Sequence, residues 1–164
     1  MPSLEQNYSH PRNSFSACHF LIGFDKCERL HGHNYTVIAN LKYSEENLTS
    51  TIDFRIINTA IKQELSQLNQ KILLPNDSSK IHIQSSKKGK NWEIVVNGKK
   101  NYSFPKRDTV ILDGIRQTTV ESLAFYLHQK LSSWLQKYYP GIINALDITV
   151  AENLGNQVKY SGFV

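Results

Sequence analysis

The stretch from residue 15 to residue 35, FSACHFLIGFDKCERLHGHNY, decides what fold and chemistry to expect of the chain. His31 and His33 are two residues apart, and alternate residues of a β-strand point to the same face, while Gly32 between them lets another group approach closely. His19 ends the preceding predicted strand, so strand pairing would bring the three imidazoles together. Such a set with an open fourth position is typical of a catalytic zinc site. Spacing alone leaves open that His31 and His33 are exposed on their strand by chance and that His19 is a core residue.

Two further side chains in this stretch could carry chemistry. Cys27 precedes His31 by four residues and Glu28 precedes it by three. A thiol beside a metal cation loses its proton readily, so Cys27 suits a base or nucleophile, although it could instead be a small buried apolar residue. Glu28 could equally be a solvated loop charge. Cys18 should point away from His19 on its strand, so we interpret it as structural.

Outward from this stretch, the hydrophobic periodicity predicts strands and helices of an α+β protein. Strands are predicted over residues 13–22 and 34–42, the second with alternating apolar residues. Asp53 is predicted to cap a first helix, with an apolar stripe listed as Ile56, Ile57, Ala60, Ile61 and Leu65. Thr118 and Glu121 are predicted to form the capping box of a second helix.

The remaining segments complete an antiparallel architecture. Residues 81–104 predict a hairpin, because an Asn-Gly pair at 97–98 is a strong two-residue turn signal. The last twenty residues predict strands at about 145–151 and 157–163. The expected fold is an antiparallel sheet with two helices on one face, in a single domain over 1–164. The other face of such a sheet needs a partner, so self-assembly is expected.

Composition limits the function further. The 164 residues include 40 % hydrophobic residues, which suits one globular core. No apolar run reaches the roughly 18 residues of a membrane span, and the first residues lack a signal-peptide pattern, so a cytoplasmic location without membrane is expected. Two cysteines do not make a disulfide framework. The isolated histidines His10, His82 and His128 are interpreted as surface residues.

The charge of the chain bears on its partners. The net charge is +5, which suits an anionic small substrate. Lys and Arg are scattered through predicted loops and strands, without a helix-long basic stripe. Nucleic acid is therefore not expected as a partner.

Together, the motifs resemble the family of 6-pyruvoyltetrahydropterin and 6-carboxytetrahydropterin synthases. FSACH resembles the family's opening FSAAH, and CERLHGHNY, with its cysteine four residues before HGH, resembles the family signature. The resemblance continues in TIDF at 51–54, TTVESLA at 118–124 and TVAE at 149–152. LLP at 73–75 and YSFP at 102–105 look like archaeal members. The resemblance covers most of the chain.

This resemblance implies a fold and an assembly. It implies the tunnelling fold, in which a four-stranded antiparallel sheet carries two helices on one face, here with an inserted β-hairpin. It also implies a homo-oligomeric barrel, a hexamer or another trimer-based assembly, with sites at subunit interfaces.

The same resemblance implies roles for individual residues. His19, His31 and His33 would bind Zn²⁺, and Cys27 would be the proton-abstracting thiolate. Glu152 would anchor the pterin, since a carboxylate can accept two parallel N–H donors. The substrate would also contact Thr118 and Thr119. The implied activity is that of a lyase that converts 7,8-dihydroneopterin triphosphate to a 6-pyruvoyl- or 6-carboxytetrahydropterin, for a biopterin pathway or for a deazapurine pathway of the queuosine or archaeosine type.

One departure from the family pattern opens two alternatives. Where the family has Leu-Asp-His-Lys after the first helix, this chain has Asn69 and Gln70 between Leu68 and Lys71. Neither side chain titrates, so neither replaces the family's proton relay. Some members carry E-x-x-H-G-H instead, and Glu28 fits that pattern. The alternatives are side-chain cleavage of dihydroneopterin to 6-hydroxymethyl-dihydropterin using Glu28, and a weakly catalytic homologue that binds zinc and pterin.

Overall fold

The computed structural model describes residues 3–44, 52–153 and 155–164. The strands are β1 (Ser3–Tyr8), β2 (Ser14–His19), β3 (His31–Ser44), β4 (Lys71–Pro75), β5 (Ile81–Ser85), β6 (Asn91–Val96), β7 (Lys100–Pro105), β8 (Thr109–Leu112), β9 (Ala145–Asn153) and β10 (Asn156–Phe163), and the helices are α1 (Phe54–Leu68) and α2 (Val120–Tyr138). Short 3-10 turns cover Asp25–Glu28 and Lys106–Asp108.

The main sheet contains the predicted antiparallel core and three more strands. Its order is β10-β9-β3-β2-β4-β8, and β1 pairs with the second half of β3. The strands β10, β9, β3 and β2 pair antiparallel, as predicted. The strands β4 and β8 extend the sheet in parallel. The strands β1, β4 and β8 were not predicted as members of this sheet, because short strands such as KILLP and TVIL show no alternation of apolar and polar residues.

Both helices cover one face of the sheet and form the main core with it. The predicted alternation in β3 is confirmed, since Tyr35, Val37, Ala39 and Leu41 are each at most 1 % exposed. The apolar stripe predicted for α1 is confirmed at Ile57, Ala60, Ile61 and Leu65, which form the buried face of the helix. Ile56 lies outside this face and is 48 % exposed. In the described part of the chain, no helix is both long and apolar enough to cross a membrane.

Of the two predicted helix N-caps, the structure confirms one and contradicts the other. Asp53 caps α1 as predicted, accepting a hydrogen bond from the Arg55 backbone N–H at 2.8 Å. The predicted capping box of Thr118 and Glu121 is wrong. The N-cap of α2 is Thr119, one residue later, whose hydroxyl accepts from the Ser122 backbone N–H at 3.4 Å.

The predicted hairpin between the helices is part of a separate three-stranded sheet, β5-β6-β7. The Asn-Gly turn joins β6 to β7, and both residues have positive φ, 50° at Asn97 and 65° at Gly98, as a type I′ turn requires. The inserted sheet has its own apolar cluster, in which Ile94 and Val96 pack with residues before β3 and in β4, namely Phe20, Ile22 and Leu74.

His128 was predicted to lie on the surface, and this is wrong. It is only 3 % exposed, on the face of α2 that packs against the β9-β10 hairpin. Its ring lies 4.9 Å from that of Tyr160, and a Cβ at Gly162 would come within 2.7 Å of it. Burial lowers the pKa of His128, because the charged form loses its hydration.

We expect this burial to make the protein less stable in mild acid. The unfolded chain binds a proton at His128 near pH 6.5, whereas the folded chain binds it at lower pH, so stability falls as pH drops below 6.5. Between pH 7.5 and 5.5, wild type should lose more unfolding free energy than His128→Gln, which cannot titrate. Urea unfolding at both pH values measures this, and equal losses in the two proteins would contradict it.

Candidate metal centre and active site

Strand pairing places the three predicted histidines together. His19 is the last residue of β2 and pairs directly with His31, the first residue of β3. His33 lies two residues further on the same face. One possible ligand atom of each residue lies within 4.8 Å of the others, so this group could hold a metal ion. Gly32 faces the other way, and a Cβ there would lie 3.3 Å from the Ala17 carbonyl oxygen and from Cys18 Sγ, so its lack of a side chain serves close strand packing.

Hydrogen bonds orient the imidazoles toward a common point. The Nδ1 atom of His19 lies 2.7 Å from the Thr118 carbonyl oxygen, and Nδ1 of His31 lies 2.7 Å from that of Arg29. A carbonyl only accepts, so each Nδ1 donates its proton and each Nε2 carries a lone pair. Nδ1 of His33 lies 3.4 Å from Oε1 of Glu152. Such outer partners are characteristic of histidines that bind zinc.

The electrostatics of the group suit a metal. His19 is 2 % exposed, and burial lowers its pKa to about 4, so its imidazole is neutral at physiological pH. Only neutral imidazole binds a metal. The Tyr35 hydroxyl lies 3.4 Å from Nε2 of His19, and burial raises the pKa of Tyr35 well above its usual value. The residues present therefore fit the zinc ion that the sequence predicted.

A cavity of about 440 Å³ opens beside the histidines. Its lining residues come from the end of β2, the start of α2 and the β9-β10 turn: His19, Leu21, Thr119, Val120, Glu121, Glu152, Gly155, Asn156, Gln157 and Val158. Glu152 follows Val150 on the same face of β9, so its carboxylate lies on the wall next to His33. Glu121 was not predicted as a site residue, although its position in TTVESLA could have indicated it.

The structure separates the roles of the two threonines that were predicted to bind substrate. Thr119 lies on the cavity wall and remains available for contact. Thr118 is fully buried, its carbonyl accepts from His19, and its hydroxyl donates to the Phe20 carbonyl oxygen at 3.3 Å. Thr118 is not among the residues that line the cavity, and its contact with His19 gives it a positioning role, while its predicted contact with substrate stays a prediction.

Cys27 and Glu28 lie in the 3-10 turn between β2 and β3. Oε1 of Glu28 accepts from the Gly23 backbone N–H at 2.9 Å, which holds the loop closed. Cys27 is exposed, and two large apolar side chains near it are also exposed, Phe24 at 54 % and Leu30 at 41 %. Among the described residues, neither Cys27 nor Glu28 lines the cavity beside the histidines.

The pair that replaces the family's Asp-His lies against β2. The Ser16 backbone N–H donates to Oδ1 of Asn69 at 2.9 Å, and the Gln70 backbone N–H donates to the Ser16 carbonyl oxygen at 2.6 Å. Gln70 has a φ of 58°, in the left-handed region. Its side chain lines a second cavity, of about 370 Å³, together with Cys18. Cys18 points away from His19, as predicted, and is exposed.

Comparisons with known proteins agree with this geometry. The family described as 6-pyruvoyl tetrahydropterin synthase matches residues 9–162. A relative from Methanocaldococcus jannaschii, named "Putative 6-carboxy-5,6,7,8-tetrahydropterin synthase", is 28 % identical over 163 residues, which cover 98 % of this chain and 97 % of the relative.

Solved structures of the same family are similar along the whole chain. The 6-pyruvoyltetrahydropterin synthase of Plasmodium vivax is 26 % identical, with a TM-score of 0.87 and full coverage of both chains, and one of its structures is a mutant with a catalytic glutamate replaced by alanine. The Plasmodium falciparum enzyme is also 26 % identical, with a TM-score of 0.83 over 99 % of both chains. The chain therefore belongs to the 6-pyruvoyl tetrahydropterin synthase family of pterin-forming lyases.

Proposed function

We propose that the protein is a zinc-dependent lyase that converts 7,8-dihydroneopterin triphosphate to a 6-pyruvoyl- or 6-carboxytetrahydropterin. The observation that carries the proposal is the group of three histidines whose Nδ1 atoms face a carbonyl, a carbonyl and a carboxylate. This arrangement leaves three Nε2 atoms for a metal at the wall of a substrate-sized cavity. Bound there, zinc would supply Lewis acidity toward the hydroxyl groups of the pterin side chain.

The chain's own residues would bind and orient the pterin. Glu152 would accept the N3 and 2-amino protons of the ring, which a carboxylate can do with both oxygens. Thr119, at the start of α2 and on the same cavity wall, would contact the substrate beside it. Cys27 would remove a proton from the side chain once the substrate is bound.

We also propose that the protein is a homo-oligomer, with trimer-based assembly and active sites at subunit interfaces. The exposed Phe24 and Leu30 beside Cys27 support this, because a second subunit would cover them and enclose the thiol. Light scattering of the purified chain measures the subunit number, and a monomer at micromolar concentration would contradict the proposal.

Glu152 provides a test with two independent readouts. Glu152→Gln is expected to weaken pterin binding about ten- to hundred-fold, because an amide presents a donor to a donor and a charged hydrogen bond contributes roughly 1.5–3 kcal/mol. It should also weaken zinc binding about 10–100-fold, because His33 loses its carboxylate partner. Calorimetry with dihydroneopterin and competition against a zinc chelator measure the two effects.

A matched control is Glu64→Gln, on α1 and away from the cavity, which should change neither affinity. Unchanged pterin binding in Glu152→Gln would exclude the anchoring role, and unchanged zinc binding would exclude the role beside His33.

A second function is supported by one specific observation. The Plasmodium vivax protein, which matches this chain over its full length, has a catalytic glutamate. Glu28, three residues before His31, could serve as the base for cleaving the dihydroneopterin side chain to 6-hydroxymethyl-dihydropterin. Its carboxylate lies in the β2-β3 loop within hydrogen-bonding distance of the Gly23 N–H.

One experiment separates these functions. The zinc-loaded protein is incubated with 7,8-dihydroneopterin triphosphate and with dihydroneopterin, and the products are identified by mass. Pyruvoyl or carboxy product from the triphosphate supports the first function, and hydroxymethyl product supports the second. If zinc and pterin bind without turnover of either compound, the protein is a binding homologue and both catalytic proposals fail.

A further inference from the structure

The positive charge of the chain is concentrated in the inserted sheet. Residues 80–108 contain eight of the 19 basic residues and two of the 14 acidic residues, a net charge of +6. The rest of the chain therefore has a net charge of −1, although the whole chain is at +5. The inserted sheet, together with the residues that directly flank it, thus carries the positive balance of the protein.

Within that segment, three lysines line one concave surface, and a fourth, Lys106, contacts one of its lining residues. A cavity of about 570 Å³ lies at the turn between β5 and β6, lined by Gln84, Ser85, Ser86, Lys87, Lys88, Lys90, Asn91 and Glu93. Lys106 joins it from after β7, donating to the Ser85 hydroxyl at 2.8 Å and lying 4.2 Å from the centre of the Trp92 ring. We call the set of Lys87, Lys88, Lys90 and Lys106 the lysine tip.

The turn that carries the lysine tip has a defined shape. The Gly89 backbone N–H donates to the Ser86 carbonyl oxygen at 2.8 Å, and the Asn91 N–H donates to the Ser86 hydroxyl at 3.1 Å. The three turn lysines are exposed, and among the described residues no carboxylate lies within 4.0 Å of their amino groups. The one carboxylate on the surface, Glu93, accepts from the Ser103 hydroxyl at 2.9 Å.

We propose that the lysine tip binds the phosphate backbone of a nucleic acid. Clustered lysines gain free energy by releasing the counterions that surround a polyphosphate chain. The hydroxyl and amide groups between them, on Ser85, Ser86 and Asn91, are side chains that commonly contact phosphate and sugar. This site lies outside the pterin cavity and does not depend on the proposed reaction.

Two other classes of anionic partner fit this surface less well. Protein interfaces are depleted of lysine at their centres, whereas this surface is built from lysines. Stable attachment to a lipid surface normally adds apolar side chains to the basic patch. The large apolar residues that are exposed in the described chain lie elsewhere, at Phe24, Leu30, Phe54, Ile56, Tyr138 and Phe163.

The proposal departs from the expectation drawn from the sequence, which was that nucleic acid is not a partner. That expectation rested on the absence of a basic stripe along a helix. Strand pairing instead places Lys106, sixteen or more residues after the turn lysines in sequence, in contact with Ser85 on the wall of the cavity that those lysines line.

The test measures binding of a fluorescein-labelled, mixed-sequence, 20-nucleotide single-stranded RNA by anisotropy at 50, 100 and 200 mM NaCl. Four phosphate contacts predict a slope of log affinity against log salt of about −2.8. The variant with Lys87→Gln, Lys88→Gln and Lys90→Gln should bind the RNA at least ~10-fold more weakly at 50 mM NaCl. Its slope of log affinity against log salt should be less steep by about 2. The control replaces Lys62, Lys130 and Lys137, on the helices, by Gln, with the same change in net charge, and should bind as wild type does.

Each other outcome overturns the proposal. Equal weakening in both triple variants would mean that net charge alone attracts RNA. Tighter binding of a polyglutamate peptide, or of vesicles of phosphatidylcholine and phosphatidylserine, would assign the surface to a protein or a membrane. Displacement of the RNA by micromolar tripolyphosphate would assign it to a small anion. Circular dichroism of the variants confirms that the insertion stays folded.

Discussion

Replacing His31 by alanine is expected to remove zinc from the protein and to abolish turnover of every dihydroneopterin derivative. His31 is the first residue of β3 and supplies one of three ligand atoms that lie within 4.8 Å of one another. Two histidines cannot complete a catalytic zinc site, which needs three protein ligands. The loss of affinity should exceed the 10–100-fold cost of removing an outer partner.

Elemental analysis of the purified protein measures the effect, and about one zinc per chain is expected in wild type. His82→Ala is the matched control, because His82 is exposed on β5, outside the histidine group. It should keep both the metal and the activity. If His31→Ala retained one zinc per chain, or if metal-free wild type were fully active, the metal centre assigned here would be wrong.

The group of three histidines was predictable because its geometry is local. The i, i+2 spacing of His31 and His33 fixes a shared face, and pairing of adjacent strands adds His19. The partners that orient the rings were not predictable in this way. The carbonyl that anchors His19 belongs to Thr118, 99 residues away, and it reaches His19 only because α2 packs across the sheet. Hence the sequence indicated Thr118 as a site residue, but not its contact with His19.

The fold was predictable where the hydrophobic pattern is long. The antiparallel strands alternate over many residues, and four of the five residues in the apolar stripe predicted for α1 are buried. Short strands carry too little pattern. The parallel strand β4 has only five residues, and its place beside β2 depends on the tight turn at Asn69 and Gln70. Burial of His128 depends on Gly162 in the distant β10.

The second prediction with a large expected effect concerns the turn at Asn69 and Gln70, where this chain departs from the family pattern. Asn69→Asp with Gln70→His should raise the rate of triphosphate elimination by about 10²–10⁴-fold, the usual contribution of a general acid–base group. The fold should accept both changes. An aspartate oxygen can accept the Ser16 N–H as Asn69 does, and histidine is among the residues enriched at positive φ.

Asn69→Asp alone is the control, because it restores the charge of the pair without the titratable imidazole. This single variant should show little of the increase in the rate of triphosphate elimination. Initial rates of triphosphate release, measured with zinc-loaded protein, supply the comparison. If the double variant is folded, binds zinc and shows no increase, the Asp-His pair is not what limits this enzyme.

In the double variant, Cys27→Ala and Glu28→Gln then identify the base. If Cys27 is the base, its removal stops formation of pyruvoyl or carboxy product, while Glu28→Gln has little effect because glutamine can still accept the Gly23 N–H. If Glu28 is the base, the pattern reverses and the product that disappears is the hydroxymethyl pterin. We expect the first result, because the spacing of Cys27 to His31 matches the family signature and Glu28 has a structural partner in its own loop. Unchanged turnover in both variants would show that neither side chain is the base.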